Sequence, residues 1–186
     1  MRFLKDNSTK ISRLIITHIA MSVFGLALFF STNVMEPHEI MLAASIFSVV
    51  FYAVIVYTTM WDFGIKDKPA FDAGRLNSAA KVGFFSVFFA EVIWMILAIS
   101  YVIVFQFDVN FASIIYVVEF LTSCCFTGIE VYIKNNILAD GSILTPYIVA
   151  SVYVLGSIII SAIGTLGYVL GTKDITIIPK KQTTKK

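Results

Sequence analysis

Five apolar runs, each about 20 residues or longer, constrain the fold of this chain more than any other feature. They cover residues 14–34, 40–61, 82–105, 111–133 and 147–170. At about 1.5 Å of rise per residue, a helix of about 20 residues crosses the roughly 30 Å hydrocarbon core of a bilayer. Hydrophobic residues make up 58% of the chain, and soluble domains are less apolar than this. The sequence therefore predicts an all-α, polytopic bundle of transmembrane helices that forms a single membrane domain.

The basic residues lie outside these runs and predict the topology. Apart from Lys134 they fall in the segment 1–13, the connection 62–81 and the tail 171–186, and the two short connections after residues 34 and 105 contain none. Positively charged loops stay on the cytoplasmic side of a membrane. We therefore expect a cytoplasmic N-terminus and a cytoplasmic loop at 62–81, in a protein of the plasma (cytoplasmic) membrane.

This charge pattern conflicts with five full crossings. Five crossings that start in the cytoplasm place the lysine-rich tail outside, against the rule that assigns the other loops. If residues 111–133 instead enter the membrane and turn back, four spans remain and the tail is cytoplasmic. The length of that run, 23 residues, favours a full crossing. Five spans are therefore the first prediction, and four spans plus one re-entrant segment are the alternative.

Glu91 and Glu119 are the leading functional candidates. No lysine or arginine occurs between residues 82 and 133, the stretch that contains both glutamates. A carboxylate inside a membrane is energetically costly, so it must be protonated, face water, pair with another group or hold a cation or ligand. We hypothesise that both side chains point into a polar interior.

Helical spacing predicts which side chains accompany these acids. Glu91 shares a face with Trp94 and Tyr101, and Glu119 shares one with Tyr116. The short connection 106–110 makes the two helices antiparallel neighbours, so their polar faces can meet in one cavity. His18 lies on a small, polar face of the first helix and is expected toward the cytoplasmic mouth of that cavity. These six residues are the predicted ligand-binding or proton-binding site.

Alternatives to a binding site remain open for the two glutamates. Both can be protonated and hydrogen-bonded, and then act only as links between helices. A partner subunit can also supply the missing positive charge. Glu130, four residues before Lys134, is expected to form an exposed ion pair near the cytoplasmic edge.

The last apolar run carries a face of small residues. Ser157, Ser161, Gly164 and Gly171 recur at helical spacing along it. Small residues allow two helix backbones to approach closely in a membrane. We expect this face to pack against another helix, either of this chain or of a partner subunit.

These features favour a transporter, or the membrane-embedded solute-binding component of one, with a small solute or cation as its ligand. The rival is an accessory or scaffold subunit of a larger membrane complex. The sequence carries no nucleotide-binding, metal-ligand or hydrolase motif, so we expect no cofactor or metal, and catalysis is the weaker interpretation. The basic clusters are short and adjoin the apolar runs, which indicates contact with lipid headgroups and not with nucleic acid.

Overall fold

The computed structural model describes residues 2–32, 39–76, 78–137 and 144–175, and every regular element in these ranges is an α-helix. The elements are α1 (Arg2–Asp6), α2 (Ser8–Thr32), α3 (Glu39–Asp72), α4 (Ala79–Phe105), α5 (Val109–Thr122), α6 (Cys124–Ile137) and α7 (Thr145–Thr172). Residues 176–186, most of the predicted tail, lie outside the described part. The all-α prediction is confirmed.

Four of these helices are long and apolar enough to cross a membrane. They are α2, α3, α4 and α7, with 25, 34, 27 and 28 residues. At about 1.5 Å per residue each exceeds roughly 35 Å, which is more than the hydrocarbon core requires. The prediction of a polytopic, membrane-embedded helical bundle is therefore confirmed.

The long helices extend beyond the apolar runs that predicted them. Helix α3 continues to Asp72, through the first half of the segment predicted as a loop. Phe63 and Gly64 are buried there, and the ring of Phe71 packs edge-on against Tyr168 of α7 at 6.3 Å. Contact with α7 thus keeps the chain helical after its hydrophobic run has ended. The connection is shorter than the sequence predicted.

The direction of helix α7 distinguishes the five-span topology from the four-span topology. We call the end of the bundle with the start of α2 the basic end, and the opposite end the far end. Near the start of α7, the Tyr147 hydroxyl accepts a hydrogen bond from Gln106 Nε2, just past the far end of α4, at 3.0 Å. Near its finish, Tyr168 donates to Asp67 at the basic end at 2.5 Å. Helix α7 therefore finishes beside the basic end.

The segment predicted as one helix over 111–133 forms a hairpin of two helices. Helix α5 starts at the far end, the chain bends at Ser123, and α6 returns toward the far end. The return is fixed by Ser45 in the second turn of α3, which donates to Cys125 O at 3.0 Å and accepts from Ile129 N at 3.3 Å. Of the two topologies, the structure has the four spans with a segment that turns back.

Hydrogen bonds from outside the hairpin stabilise its bend. In a continuous helix the carbonyl of Thr122 would bond the amide of Phe126, but that amide bonds Ser123 O at 3.0 Å. The Thr122 carbonyl instead accepts from Ser22 Oγ and from His18 Nε2, the latter at 3.1 Å. Gly25 makes room for the bend, since a Cβ there would lie 2.6 Å from Cys125 N.

Candidate functional site

Glu91 lies in the interior of the bundle and is 1% exposed. Its Oε1 accepts a hydrogen bond from the Tyr52 hydroxyl and lies 3.4 Å from His18 Nδ1. Its Oε2 accepts from Ser157 Oγ at 3.2 Å. Helices α2, α3, α4 and α7 each supply one of these four side chains. We call His18, Tyr52, Glu91 and Ser157 the relay centre.

The contacts of His18 define which of its nitrogens carries a proton. Nε2 faces the carbonyl of Thr122, which can only accept, so Nε2 must hold a hydrogen. Nδ1 lies 3.0 Å from the Tyr52 hydroxyl and faces Glu91 beyond it. The protonation state of Nδ1 is therefore the variable one.

The relay centre can hold one shared proton in two arrangements. In the first, an imidazolium at His18 donates from Nδ1 to the Tyr52 oxygen, and Tyr52 donates to a Glu91 carboxylate. In the second, a protonated Glu91 donates to the Tyr52 oxygen, and Tyr52 donates to a neutral Nδ1. Every buried hydrogen-bonding group among these three is satisfied in both arrangements, and the summed charge is zero in both. Moving one proton through Tyr52 interconverts them.

Trp94 lies beside the relay centre. The sequence predicted it as part of one ligand-binding or proton-binding site with Glu91 and His18, and its ring stacks on the His18 imidazole, with centroids 4.6 Å apart and planes 10° from parallel. Trp94 therefore contacts the relay centre through His18.

A second polar group surrounds Glu130, on the returning arm of the hairpin. Glu130 is 1% exposed and accepts hydrogen bonds from Tyr116 at 2.9 Å and from Tyr153 at 3.0 Å. The expectation of an exposed pair with Lys134 does not hold. Glu130 is buried because the chain bends at Ser123. The bend carries Glu130 back toward the far end and into contact with α5 and α7.

Glu119 is buried without hydrogen-bond partners in the described part of the chain. It is 1% exposed, and both of its carboxyl oxygens are enclosed yet unbonded. Glu130 lies against the same helix, because Tyr116, three residues before Glu119 on α5, donates to it at 2.9 Å. Tyr116 lies one turn before Glu119, and its ring contacts that of Tyr101 with centroids 5.4 Å apart. We call Glu119 and Glu130 the glutamate pair.

The relay centre and the glutamate pair are adjacent but distinct. Two hydroxyls one turn apart on α7 donate to different glutamates. Tyr153 bonds Glu130 of the glutamate pair, and Ser157 bonds Glu91 of the relay centre. Thr122 also joins them, since its carbonyl contacts His18 and its Oγ1 donates to the Glu119 carbonyl at 3.2 Å. Glu91 and Glu119, predicted to share one cavity, thus belong to neighbouring layers of the bundle.

Apolar and charged layers close the bundle on the basic side of Glu91. Val56, Met60, Val87 and Gly164 pack together there, and the first three are fully buried. Closer to the basic end, Lys10 forms an ion pair with Asp67 at 2.5 Å, and Tyr168 donates to the same carboxylate. The bundle is therefore closed toward the basic end.

The small residues of α7 line its inner face. Ser157, Ser161, Gly164 and Gly171 are all buried. Gly164 packs against Val87 and Val56, and Gly171 packs against the backbone of Trp61. This face is therefore covered by α3 and α4 of the same chain.

Sequence reasoning did not identify Tyr52 or the polar roles of Ser157 and Glu130. Tyr52 is a phenol in the middle of an apolar run, and that position was the available signal. Comparison with known proteins returned no matching family model, no matching curated protein and no matching solved structure. The two polar centres are therefore the features of this chain that point to a function.

Proposed function

We propose that this protein is a proton-dependent membrane transporter, or the membrane-embedded solute-binding component of one. The observation that carries this proposal is a buried Glu91 bonded to Tyr52 and His18, with no lysine or arginine in contact with it in the described part of the chain. Intramembrane acids joined to histidine are typical of proton pathways in transporters.

The relay centre supports this function because its charge can change by single protons. With one shared proton it is neutral, and a second proton makes it a cation in the middle of the bundle. A buried charge disfavours the closed packing around it, and water or an anionic group on a solute relieves that cost. Proton binding would in this way favour opening of the bundle.

We further propose that the basic end faces the cytoplasm of a plasma membrane. The basic residues of the described ranges that lie toward this end include Lys5, Lys10, Arg13, Lys66, Lys68, Arg75, Lys81 and Lys173. Lys134 is the basic residue of the described ranges that lies toward the opposite end. Excess positive charge is retained on the cytoplasmic side.

Cysteine labelling in intact cells tests this orientation. The native thiols Cys124 and Cys125 are buried, so they give a low background. We expect a cysteine at the exposed position 173 to resist a membrane-impermeant maleimide, and a matched cysteine at the exposed position 110 to react. The reverse pattern would contradict the proposed orientation, and reaction at both positions would contradict the four-span topology.

Transport is tested in proteoliposomes with an imposed pH gradient and a defined mixture of amino acids, monoamines and quaternary ammonium compounds. We expect at least one solute to accumulate in response to the gradient, as measured by mass spectrometry of the vesicle contents. Glu91→Gln should reduce accumulation to the level of protein-free vesicles, because a neutral amide cannot exchange a proton. The matched control is Glu39→Gln, at an exposed glutamate.

A direct readout of the relay centre does not require the solute. The chain has two tryptophans, and Trp61→Phe leaves Trp94, stacked on His18, as the sole indole. Because an imidazolium quenches a stacked indole, we expect the fluorescence to titrate with pH in this background and not after His18→Gln. A flat titration together with no gradient-driven accumulation would refute the proposed function.

The accessory-subunit hypothesis lacks one of its supports in this structure. It relied partly on the small-residue face of α7 as a contact for another protein, and helices α3 and α4 cover that face here. A stable companion that co-purifies with the protein, combined with unaltered assembly in Glu91→Gln, would favour this rival.

A further inference from the structure

Glu119 combines full burial with a complete lack of hydrogen-bond partners in the described ranges. Both carboxyl oxygens are enclosed, and neither receives a donor. Buried polar groups in folded proteins are nearly always satisfied, and exceptions point to an ion, a water or a functional role. An ionisable side chain inside a membrane is costly, and such groups are almost always paired. The position therefore indicates a missing ligand.

The neighbours of Glu119 are oxygen-rich and negatively charged. Glu130, from α6, accepts from two tyrosine hydroxyls and is thereby held in place as a hydrogen-bond acceptor. The titratable groups that interact with the pair are Tyr101 of α4, Tyr116 of α5, Tyr153 of α7, and Cys124 and Lys134 of α6, of which Lys134 is exposed. No ion pair with a basic side chain neutralises Glu119 or Glu130 within the described residues.

We propose that the glutamate pair binds one monovalent cation, either a proton or an alkali-metal ion. Glu119 is the ligand that exchanges, since nothing else occupies its oxygens, and Glu130 is the ligand that the tyrosines hold fixed. Carboxylate and hydroxyl oxygens are the ligands that hard cations prefer. A divalent ion fits less well, because the described residues contain no group of three or more acidic, histidine or cysteine side chains.

The hairpin connects this site to the relay centre. Glu119 lies one turn before the bend, and Thr122 at the bend contacts both its backbone and His18. A cation bound at Glu119 would therefore act on the segment that holds the His18 ring. The proposed site is nevertheless separate from proton exchange at Glu91, so the two assignments can fail independently.

The test measures binding to the purified full-length protein in detergent. Equilibrium dialysis with radioactive sodium reports alkali-ion binding directly. Thermal unfolding in sodium, potassium or lithium chloride, against choline chloride at the same ionic strength, reports any stabilising cation, and repeating it from pH 5 to pH 9 reports proton binding. The variants are Glu119→Gln, Glu91→Gln and the exposed control Glu39→Gln.

We expect the unfolding temperature of the wild type to depend on alkali cation, on pH or on both through competition. A cation-dependent shift identifies an alkali ion, and a shift with pH alone identifies the proton. Glu119→Gln should lose the response and weaken any sodium binding by about tenfold or more, which corresponds to one charged ligand. Glu91→Gln and Glu39→Gln should retain the response to alkali ions, which separates this site from the relay centre.

Two results would overturn the proposal. One is a wild type that binds no sodium and whose unfolding responds to neither alkali cation nor pH. The other is a response that Glu119→Gln shares fully with the wild type. If Glu119→Gln fails to fold, carbodiimide modification of the wild type replaces it, with the labelled residue located by peptide mass spectrometry. Labelling of Glu119 that sodium or high pH prevents supports the site, and labelling that neither changes refutes it.

Discussion

Glu91→Leu is expected to destabilise the folded bundle by about 3 kcal/mol or more, because it leaves the two buried hydroxyls of Tyr52 and Ser157 without the carboxylate that accepts from them. Tyr52 and Ser157 both donate to this carboxylate, and His18 faces it at 3.4 Å. Leucine has a similar volume but offers no acceptor, and a buried unsatisfied donor costs about 1–3 kcal/mol. Thermal and denaturant unfolding of the detergent-solubilised protein measures the change.

Glu119→Leu is the matched control, and its effect should have the opposite sign. Glu119 has the same 1% exposure as Glu91 but no hydrogen-bond partner among the described residues. Replacing an unpaired buried polar group by leucine removes its desolvation cost, so we expect a gain of about 1–3 kcal/mol without added alkali cations. Equal destabilisation by both substitutions would show that Glu119 has partners that the structure does not reveal.

The opposite signs also separate structure from function. A glutamate that only links helices stabilises the fold, and one retained at the expense of stability requires another explanation, such as ligand binding. The sequence hypothesis of purely structural glutamates treated Glu91 and Glu119 alike. The contacts distinguish them, since three polar side chains lie within 3.4 Å of the Glu91 carboxyl oxygens, whereas neither carboxyl oxygen of Glu119 has a hydrogen-bond partner in the described part.

The long helices could be predicted from the sequence because their signal is local. Runs of apolar residues long enough to cross a bilayer identified α2, α3, α4 and α7. The extension of α3 to Asp72 could not be predicted, since it depends on contacts between Phe71 and α7. The distribution of basic residues already required an even number of crossings. That global signal conflicted with the uninterrupted run at 111–133.

The bend at Ser123 has no sequence signature of the usual kind. The segment contains neither proline nor glycine at this point. The bend instead depends on two donors that lie 104 and 100 residues away in sequence, His18 and Ser22, which bond the freed carbonyl of Thr122. Every error about Glu130 follows from this one tertiary interaction, because a straight helix would carry Glu130 to the opposite end of the bundle.

Part of the candidate site could be predicted because helical spacing is also a local signal. Helical spacing placed His18 and Glu91 on inward faces, and the structure brings them to 3.4 Å. The depth of His18 along α2 was misjudged, since α2 begins at Ser8 and not at the start of the apolar run. Tyr52 could not be selected, because one phenol in an apolar run gives no indication of its partner.

Gly171→Val is expected to destabilise the bundle by about 3 kcal/mol or more and to open its basic end. A Cβ at position 171 would overlap the backbone carbonyl of Trp61 and lie 3.1 Å from the Cα of Gly64. Both obstacles are backbone atoms of α3, which cannot rotate away as a side chain can. Valine therefore forces α3 and α7 apart where they pack most closely.

Separation of α3 and α7 at this point has a specific structural consequence. Asp67 of α3 bonds Tyr168 of α7, and the same carboxylate pairs with Lys10 of α2. Unfolding of the purified variant measures the loss of stability. The opening is measured with a cysteine in place of the buried Thr59. Its reaction with a small soluble maleimide is compared between the Gly171→Val variant and the wild-type background.

Ala162→Val provides the control for added volume on the same helix. Ala162 lies on the exposed face of α7, so its substitution should change stability by no more than about 0.5 kcal/mol. Gly171→Ala adds one carbon at the contact and should fall between these two variants. If Gly171→Val instead unfolds like Ala162→Val, α3 and α7 are not in backbone contact there. The basic end would then need another explanation for its closure.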